Sequence, residues 1–143
     1  MRNLFTKATI WIAFLISATS FTSCTEDWWY GDSDDLWITD NLIGAWRIVE
    51  AHEAHPGDCP YMRDDIMEFF HNGTMRTIGF DLNERGYWQV RKGKIEIDFN
   101  GDYRTDLYAY IEQMDEGYMV LDVRDNINGY VARYNLRLVR TYY

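Results

Sequence analysis

Two histidines and a cysteine stand close together in one short segment of the sequence. His52, His55 and Cys59 lie within eight positions, beside Glu53 and Asp58. Imidazole and thiolate groups are the ligands that zinc prefers, so a loop could fold around an ion there. The spacing is not that of the H-E-x-x-H helix, because the second histidine comes one position early and a proline follows it. We expect solvated imidazoles on a loop, and we predict neither a metal ion nor a cofactor.

Acidic pairs are the other residues whose spacing could carry chemistry. Asp34-Asp35 and Asp64-Asp65 could serve as calcium ligands or as a glycosidase pair. A calcium loop starting at Asp32 would lack the glycine at its sixth position and the glutamate at its twelfth. Retaining glycosidases need two carboxyl groups about 5 Å apart in a cleft, which sequence does not establish. No G-x-S-x-G, P-loop or G-x-G-x-x-G motif occurs. The sequence therefore predicts no catalytic residues and no enzyme.

The first 23 residues have the order of a secretory signal. Arg2 and Lys7 precede an apolar run over residues 8–16, which is shorter than the roughly 20 residues that a membrane span needs. The segment Phe21-Thr22-Ser23-Cys24 resembles a bacterial lipobox. This resemblance implies that Cys24 carries a lipid and anchors the mature chain to a membrane. Cys59 is then left alone, as a buried or half-buried free thiol or as one half of an intermolecular bridge.

An acidic segment follows the predicted lipidation site. Six acidic residues and no lysine or arginine lie between Glu26 and Asp40, which predicts a solvated tether over residues 24–40. Acidic residues directly after the lipidated cysteine resemble the surface-export signal of Bacteroidetes-type lipoproteins. This resemblance implies an outer-membrane protein displayed at the cell surface.

The charge of the chain restricts its partners. Removal of residues 1–23 takes away two of the 14 basic residues and none of the 23 acidic ones, which leaves a net charge of −11. A chain this negative is repelled by nucleic acids and by anionic lipid headgroups. The sequence therefore predicts no nucleic-acid partner.

Short strands and tight turns account for the domain at residues 41–143. Asn-Gly pairs and other turn signals separate runs of alternating apolar and polar residues. Such runs predict strands over residues 42–51, 61–70, 74–80, 87–91, 94–99, 103–113, 118–124 and 130–140. No segment has a helical period longer than about two turns.

About eight strands in meander order predict an all-β fold with an antiparallel up-and-down barrel. Closure of the sheet removes its exposed edges, and eight strands give an interior that side chains nearly fill. An open sheet or a two-sheet sandwich is the alternative, since a flattened barrel has the same sequence pattern.

Four motifs resemble the small lipocalin-like domains of bacterial lipoproteins. They are Gly44-Ala45-Trp46, Met67-Glu68-Phe69-Phe70 with Asn72-Gly73-Thr74, Gly86-Tyr87-Trp88 before a Lys-Gly turn, and a last strand that ends in arginine. The resemblance implies that Trp46 packs at the barrel base next to Gly44. It also implies that an arginine of the last strand, Arg137 or Arg140, crosses over the indole, at about 1 kcal/mol for the cation–π contact.

The resemblance implies a non-enzymatic protein that binds a small apolar or amphipathic ligand in the barrel or at its mouth. Alternation indicates the candidate interior residues Trp46, Ile48, Met67, Phe69, Trp88, Ile97, Phe99, Leu107, Ile111, Leu121 and Tyr134. The alternative is a filled barrel that acts as a protein-interaction or inhibitor module on an envelope protein. Aromatic residues make up 17% of the chain, which suits a packed core and a ligand-stacking mouth equally.

Overall fold

Alternation of apolar and polar side chains at period two is the reason that most of this chain forms strands. The computed structural model of the protein describes residues 33–79, 83–127 and 129–142. Within these described residues, one helix, α1 (Ser33–Leu42), precedes eight strands: β1 (Gly44–Glu53), β2 (Ile66–Phe69), β3 (Thr74–Ile78), β4 (Arg85–Arg91), β5 (Lys94–Asp98), β6 (Leu107–Met114), β7 (Tyr118–Ile127) and β8 (Tyr130–Thr141). The predicted all-β fold of about eight strands is confirmed.

The eight strands form one closed barrel. Each strand pairs antiparallel with the next along the chain, and β8 pairs with β1 to close the sheet. At the closure Trp46 lies opposite Arg140, and Ile48 lies opposite Leu138. The predicted up-and-down barrel is therefore confirmed, and the alternative of an open sheet or a sandwich is wrong.

Inward-facing side chains of the strands form the core. Met119, Leu121 and Val123 of β7 are buried, as the alternation predicts. All of the predicted interior residues are buried except Phe99 and Ile111, which are partly buried and pack against the same core. The described part of the chain thus places the eleven candidates in or against the core, while their contact with a ligand stays a prediction.

The second strand is shorter than predicted. It begins at Ile66 rather than Tyr61, because Asp64 adopts a φ of 75° and the Asp65 carboxylate accepts a hydrogen bond from the Met62 N–H at 2.8 Å. Both features turn the chain just before β2. Tyr61 therefore lies in the loop between β1 and β2, where its side chain is buried.

Helix α1 was not expected from the sequence, which assigns residues 33–40 to a solvated tether and Leu42 to the first strand. Ile38 and Leu42 are buried, so one side of the helix contacts the rest of the domain. The two carboxylate oxygens of Asp35 accept hydrogen bonds from the N–H groups of Lys92 and Gly93, at 2.8 and 2.7 Å. Asp35 thereby fixes α1 to the turn between β4 and β5. Within the described part of the chain, no helix is long and apolar enough to cross a bilayer.

Trp46 and Arg140 close the end of the barrel next to α1, which we call the sealed end. The Trp46 indole N–H donates to the Leu42 carbonyl at 2.8 Å. The Arg140 guanidinium carbon lies 4.4 Å from the centroid of the Trp46 ring. Its nitrogens donate to the carbonyls of Asn41, Ile43 and Glu116. The Arg140 guanidinium thus satisfies carbonyl groups at the C-terminal end of α1 that a helix leaves without partners.

Gly44 leaves the space that Arg140 needs. Its φ is 125°, which favours glycine, and a Cβ at this position would come within 2.8 Å of an Arg140 guanidinium nitrogen. Arg137, the alternative partner of Trp46, instead points outward and pairs with Glu50 at 2.8 Å. Of the two predicted arginines, Arg140 therefore packs on the indole.

We predict that Arg140→Met destabilises the protein much more than Arg137→Met. Loss of Arg140 leaves the partly buried carbonyls of Asn41 and Ile43 without this donor and removes the cation–π contact, at an expected cost of about 3 kcal/mol. Loss of Arg137 removes one exposed ion pair, at an expected cost below about 1 kcal/mol. Urea unfolding of the two variants measures both values. Equal losses would contradict the assigned role of Arg140.

Candidate functional site

The end of the barrel opposite the sealed end is the place where a ligand can reach the sheet interior. Strands alternate in direction, so the connections after β1, β3, β5 and β7 meet at this end, which we call the mouth. The structure describes residues 54–65 and 99–106 of these connections in full. Both loops are longer than two-residue hairpin turns and can fold over the opening.

A cavity of about 400 Å³ lies at the mouth. Two aromatic rings, three carboxylates, two amides and a proline line it: Tyr61, Phe99, Glu84, Asp106, Asp125, Asn100, Asn126 and Pro60. Phe99 is the member of the predicted interior set that also lines this cavity. The remaining candidates lie in or against the core, so the structure does not bring them together as the wall of the mouth cavity.

A pair of buried tyrosines connects the cavity with the core. The rings of Tyr61 and Tyr134 lie 5.9 Å apart, tilted by 58°, and their exposed fractions are 3% and 2%. The Tyr134 hydroxyl donates to the Asp125 carboxylate at 3.3 Å. Tyr61 lines the cavity, and Tyr134 packs against it within the core; we call this pair of rings the Tyr61–Tyr134 floor.

Burial changes the acid–base behaviour of these groups. Loss of solvent raises the pKa of Asp125, an effect that the Tyr134 hydrogen bond opposes and the Asp106 charge reinforces. Burial, and then the charge of Asp125, raises the pKa of Glu84. The pKa values of Tyr61 and Tyr134 are raised as well, mainly by burial. The mouth therefore holds carboxyl groups whose charged forms are poorly solvated.

The histidines and the cysteine of the β1–β2 segment do not converge on a metal site. His52 contacts Glu50 at 3.3 Å and His55 contacts Asp58 at 3.5 Å, with both imidazoles exposed. The Cys59 thiol donates to the Tyr61 carbonyl, and burial raises its pKa to about 11. No group of three His, Cys, Asp or Glu side chains within residues 33–79, 83–127 and 129–142 is placed to share a metal ion.

The acidic pairs have structural contacts. Asp35 fixes α1, as described above, and Asp64 pairs with Arg47 at 2.9 Å. Asp65 is buried and caps the turn before β2. These contacts account for Asp35, Asp64 and Asp65 without a ligand.

Seven of the eight cavity residues were not found from the sequence, among them Asp125, Tyr61 and Glu84. Asp125 follows Met119, Leu121 and Val123 on the inward phase of β7, so extending the alternation by one step would have found it. Tyr61 was assigned to a strand rather than to a covering loop. Glu84 stands in a polar stretch with no periodic signal that could have indicated it.

Comparison with known proteins gives a likeness of fold. No protein-family model and no curated protein sequence matches the chain. Bovine odorant binding protein in complex with a selenium-containing odorant aligns with a TM-score of 0.54 and 16% identity, over 74% of this chain and 76% of that chain. The same bovine protein with its natural ligand gives a TM-score of 0.50 and 17% identity, over 72% and 73%. The barrel is thus lipocalin-like.

A bacterial structure also aligns over most of its length. A duf4847 family protein from Bacteroides vulgatus gives a TM-score of 0.46 and 11% identity, over 73% of this chain and 97% of that chain. A score below 0.5 supports no conclusion about this chain.

We predict that Asp125→Asn stabilises the protein at neutral pH. Because burial raises the folded-state pKa of Asp125, the stability of the wild type falls as pH rises from the ordinary value of 3.8 through the raised value. An amide does not titrate, so the variant should gain stability over the wild type across this range, with the difference vanishing below pH 3.8. Urea unfolding of both proteins along a pH series measures it. Glu112→Gln, which changes an exposed carboxylate, should show no such trend.

Proposed function

We propose that this protein is a non-enzymatic lipocalin-like binding protein that holds a small apolar or amphipathic molecule at the barrel mouth. The observation that supports this function is the cavity of about 400 Å³ above the Tyr61–Tyr134 floor. Ligand pockets in proteins commonly measure about 300–1,000 Å³ and combine apolar walls with a few polar groups. The cavity has this size and this mixture of linings.

The ligand is proposed to sit at the mouth rather than deep in the barrel. Large side chains from several strands, among them Trp46, Phe69, Met75, Met119 and Leu136, are almost completely buried in the interior. They occupy the volume that a deep ligand would need. The bovine odorant binding proteins of similar fold were solved with an odorant or a natural ligand bound, which supports small-molecule binding by this architecture.

Binding rather than catalysis is proposed because the candidate nucleophiles near the cavity are held protonated. The Cys59 thiol has a pKa of about 11, and the pKa values of Tyr61 and Tyr134 are raised. A thiol or phenol that stays protonated at neutral pH is a weak nucleophile.

A filled barrel that binds an envelope protein is a second candidate function. Large apolar side chains stand exposed on loops and strand ends around the mouth: Met62 at 62%, Tyr103 at 100% and Val131 at 58%. Exposed apolar residues next to a loop-lined opening favour contact with a protein surface. Co-purification of a protein partner together with an empty mouth cavity would favour this candidate over the first.

We predict that the mouth cavity binds decanol, a neutral amphipathic probe. Asn100→Trp places an indole at the cavity wall and should weaken decanol binding by about tenfold or more, which corresponds to 1.4 kcal/mol. Gln113→Trp adds the same ring on exposed β6, away from the cavity, and should leave binding unchanged. Isothermal titration calorimetry measures all three proteins. A wild type that binds neither decanol nor a charged decyl compound would contradict the proposed function.

The lipid anchor and its location are also proposed. Cys24 and the signal segment at residues 1–23 lie outside the described residues, and the proposal rests on the lipobox-like segment and on the acidic residues that follow it. Together they support an outer-membrane, cell-surface lipoprotein held by lipid on Cys24.

We predict that Cys24→Ser releases the protein from the membrane fraction, while Cys59→Ser leaves it there. Cys59 is the matched control because it is the other cysteine of the chain and its thiol donates to the Tyr61 carbonyl. Envelope fractionation locates each variant, and mass spectrometry of the purified wild type should show an N-terminal Cys24 with added lipid mass. An unmodified wild-type chain would contradict the anchor.

A further inference from the structure

The charges around the mouth cavity are all of one sign. Its lining includes the carboxylates of Glu84, Asp106 and Asp125, while no lysine, arginine or histidine is among the described lining residues. An apolar ligand gains nothing from three carboxylates in its pocket. Three carboxylates without a basic side chain therefore favour a ligand that carries a positive charge.

Asp125 is the least solvated of the three carboxylates. It is only 8% exposed, yet it lines the cavity. One of its oxygens accepts the Tyr134 hydroxyl at 3.3 Å, and its other oxygen has no donor within the described part of the chain. Asp106 differs, because its carboxylate accepts the Phe99 N–H at 2.8 Å and the Asn100 amide. Asp125 thus lines the cavity with a carboxylate oxygen that has no donor among the described residues.

Arginines near the mouth do not neutralise Asp125. Arg133 forms a two-pronged contact with Asp122 on the outer face of the barrel, at 3.2 and 3.1 Å. Arg85 begins β4 beside Glu84 but is exposed and does not line the cavity. Burial and the neighbouring negative charges raise the pKa values of both Asp125 and Glu84, as expected for carboxylates that lack a cation.

Aromatic rings complete a site suited to an organic cation. Tyr61 and Phe99 line the same cavity as the carboxylates, and aromatic faces attract both ammonium groups and apolar chains. A metal ion fits less well, because no three acidic or other metal-binding side chains of the described residues are placed to share one. An ammonium group needs fewer converging ligands than a metal ion does.

We propose that the mouth cavity selects amphipathic ammonium compounds, with the cationic head between Asp125 and Glu84 and the apolar part against Tyr61 and Phe99. This inference rests on the proposed function, since it names the chemical class of ligand for the same cavity. Ion pairing in a poorly solvated pocket is stronger than at an exposed surface, so the head group should contribute measurably to affinity.

The test compares three probes that share one tail: decylammonium, decanol and decanoate. Isothermal titration calorimetry should show decylammonium binding about tenfold or more tighter than decanol, and decanoate binding weakest. Asp125→Asn should reduce decylammonium affinity to about that of decanol while decanol affinity is retained. Glu84→Gln should reduce the preference in part. Glu112→Gln, which removes one exposed negative charge outside the cavity, should leave it unchanged.

The outcomes separate this inference from the function on which it rests. Equal affinity for decylammonium and decanol, or tighter binding of decanoate, would overturn the ammonium preference and leave small-molecule binding intact. Binding of none of the three probes would overturn the proposed function itself. An ammonium preference that survives both Asp125→Asn and Glu84→Gln would also overturn the inference, because the cation would then be held elsewhere.

Discussion

The contact of Arg140 with Trp46 and with the end of α1 is the interaction on which the rest of this structure depends. A helix ends with carbonyl groups that lack partners, and these groups are costly to bury. The Arg140 guanidinium and the Trp46 indole N–H supply the missing donors, and Gly44 provides the space to do so. Because α1, β1 and β8 meet in this one contact, it fixes the helix, closes the sheet and seals one end of the barrel together.

Sealing one end determines where a ligand can bind. Inward side chains, Tyr134 among them, are packed in the core of the barrel, and Tyr61 lines the cavity at the mouth. Asp125 continues the inward alternation of β7 next to Tyr134. Its carboxyl group is therefore nearly buried but still lines the cavity. The position of the floor thus accounts for both the depth of the cavity and the poor solvation of its charges.

The sequence predicted the strands well because alternation along a half-buried strand is a local pattern. The same alternation places Ala132, Tyr134, Leu136 and Leu138 inside the barrel. Continued to the end of β8, it places Arg140 inside and Arg137 outside. Helix α1 could not be predicted from a local pattern. Its acidic and aromatic residues show no strong helical period. Its stability also depends on distant contacts, such as that of Asp35 with the β4–β5 turn. Glu84 was equally hidden, since only the folding of a polar loop brings it to the cavity.

The attachment of α1 to the sealed end has a mechanical consequence. The chain enters the barrel through α1, so tension arriving from the N-terminal side passes through Gly44 into β1, whose ladders with β2 and β8 resist it in shear. The Asp35 and Arg140 hydrogen bonds share that load at the same end. The loops of the mouth lie at the far end of the strands and carry little of this load.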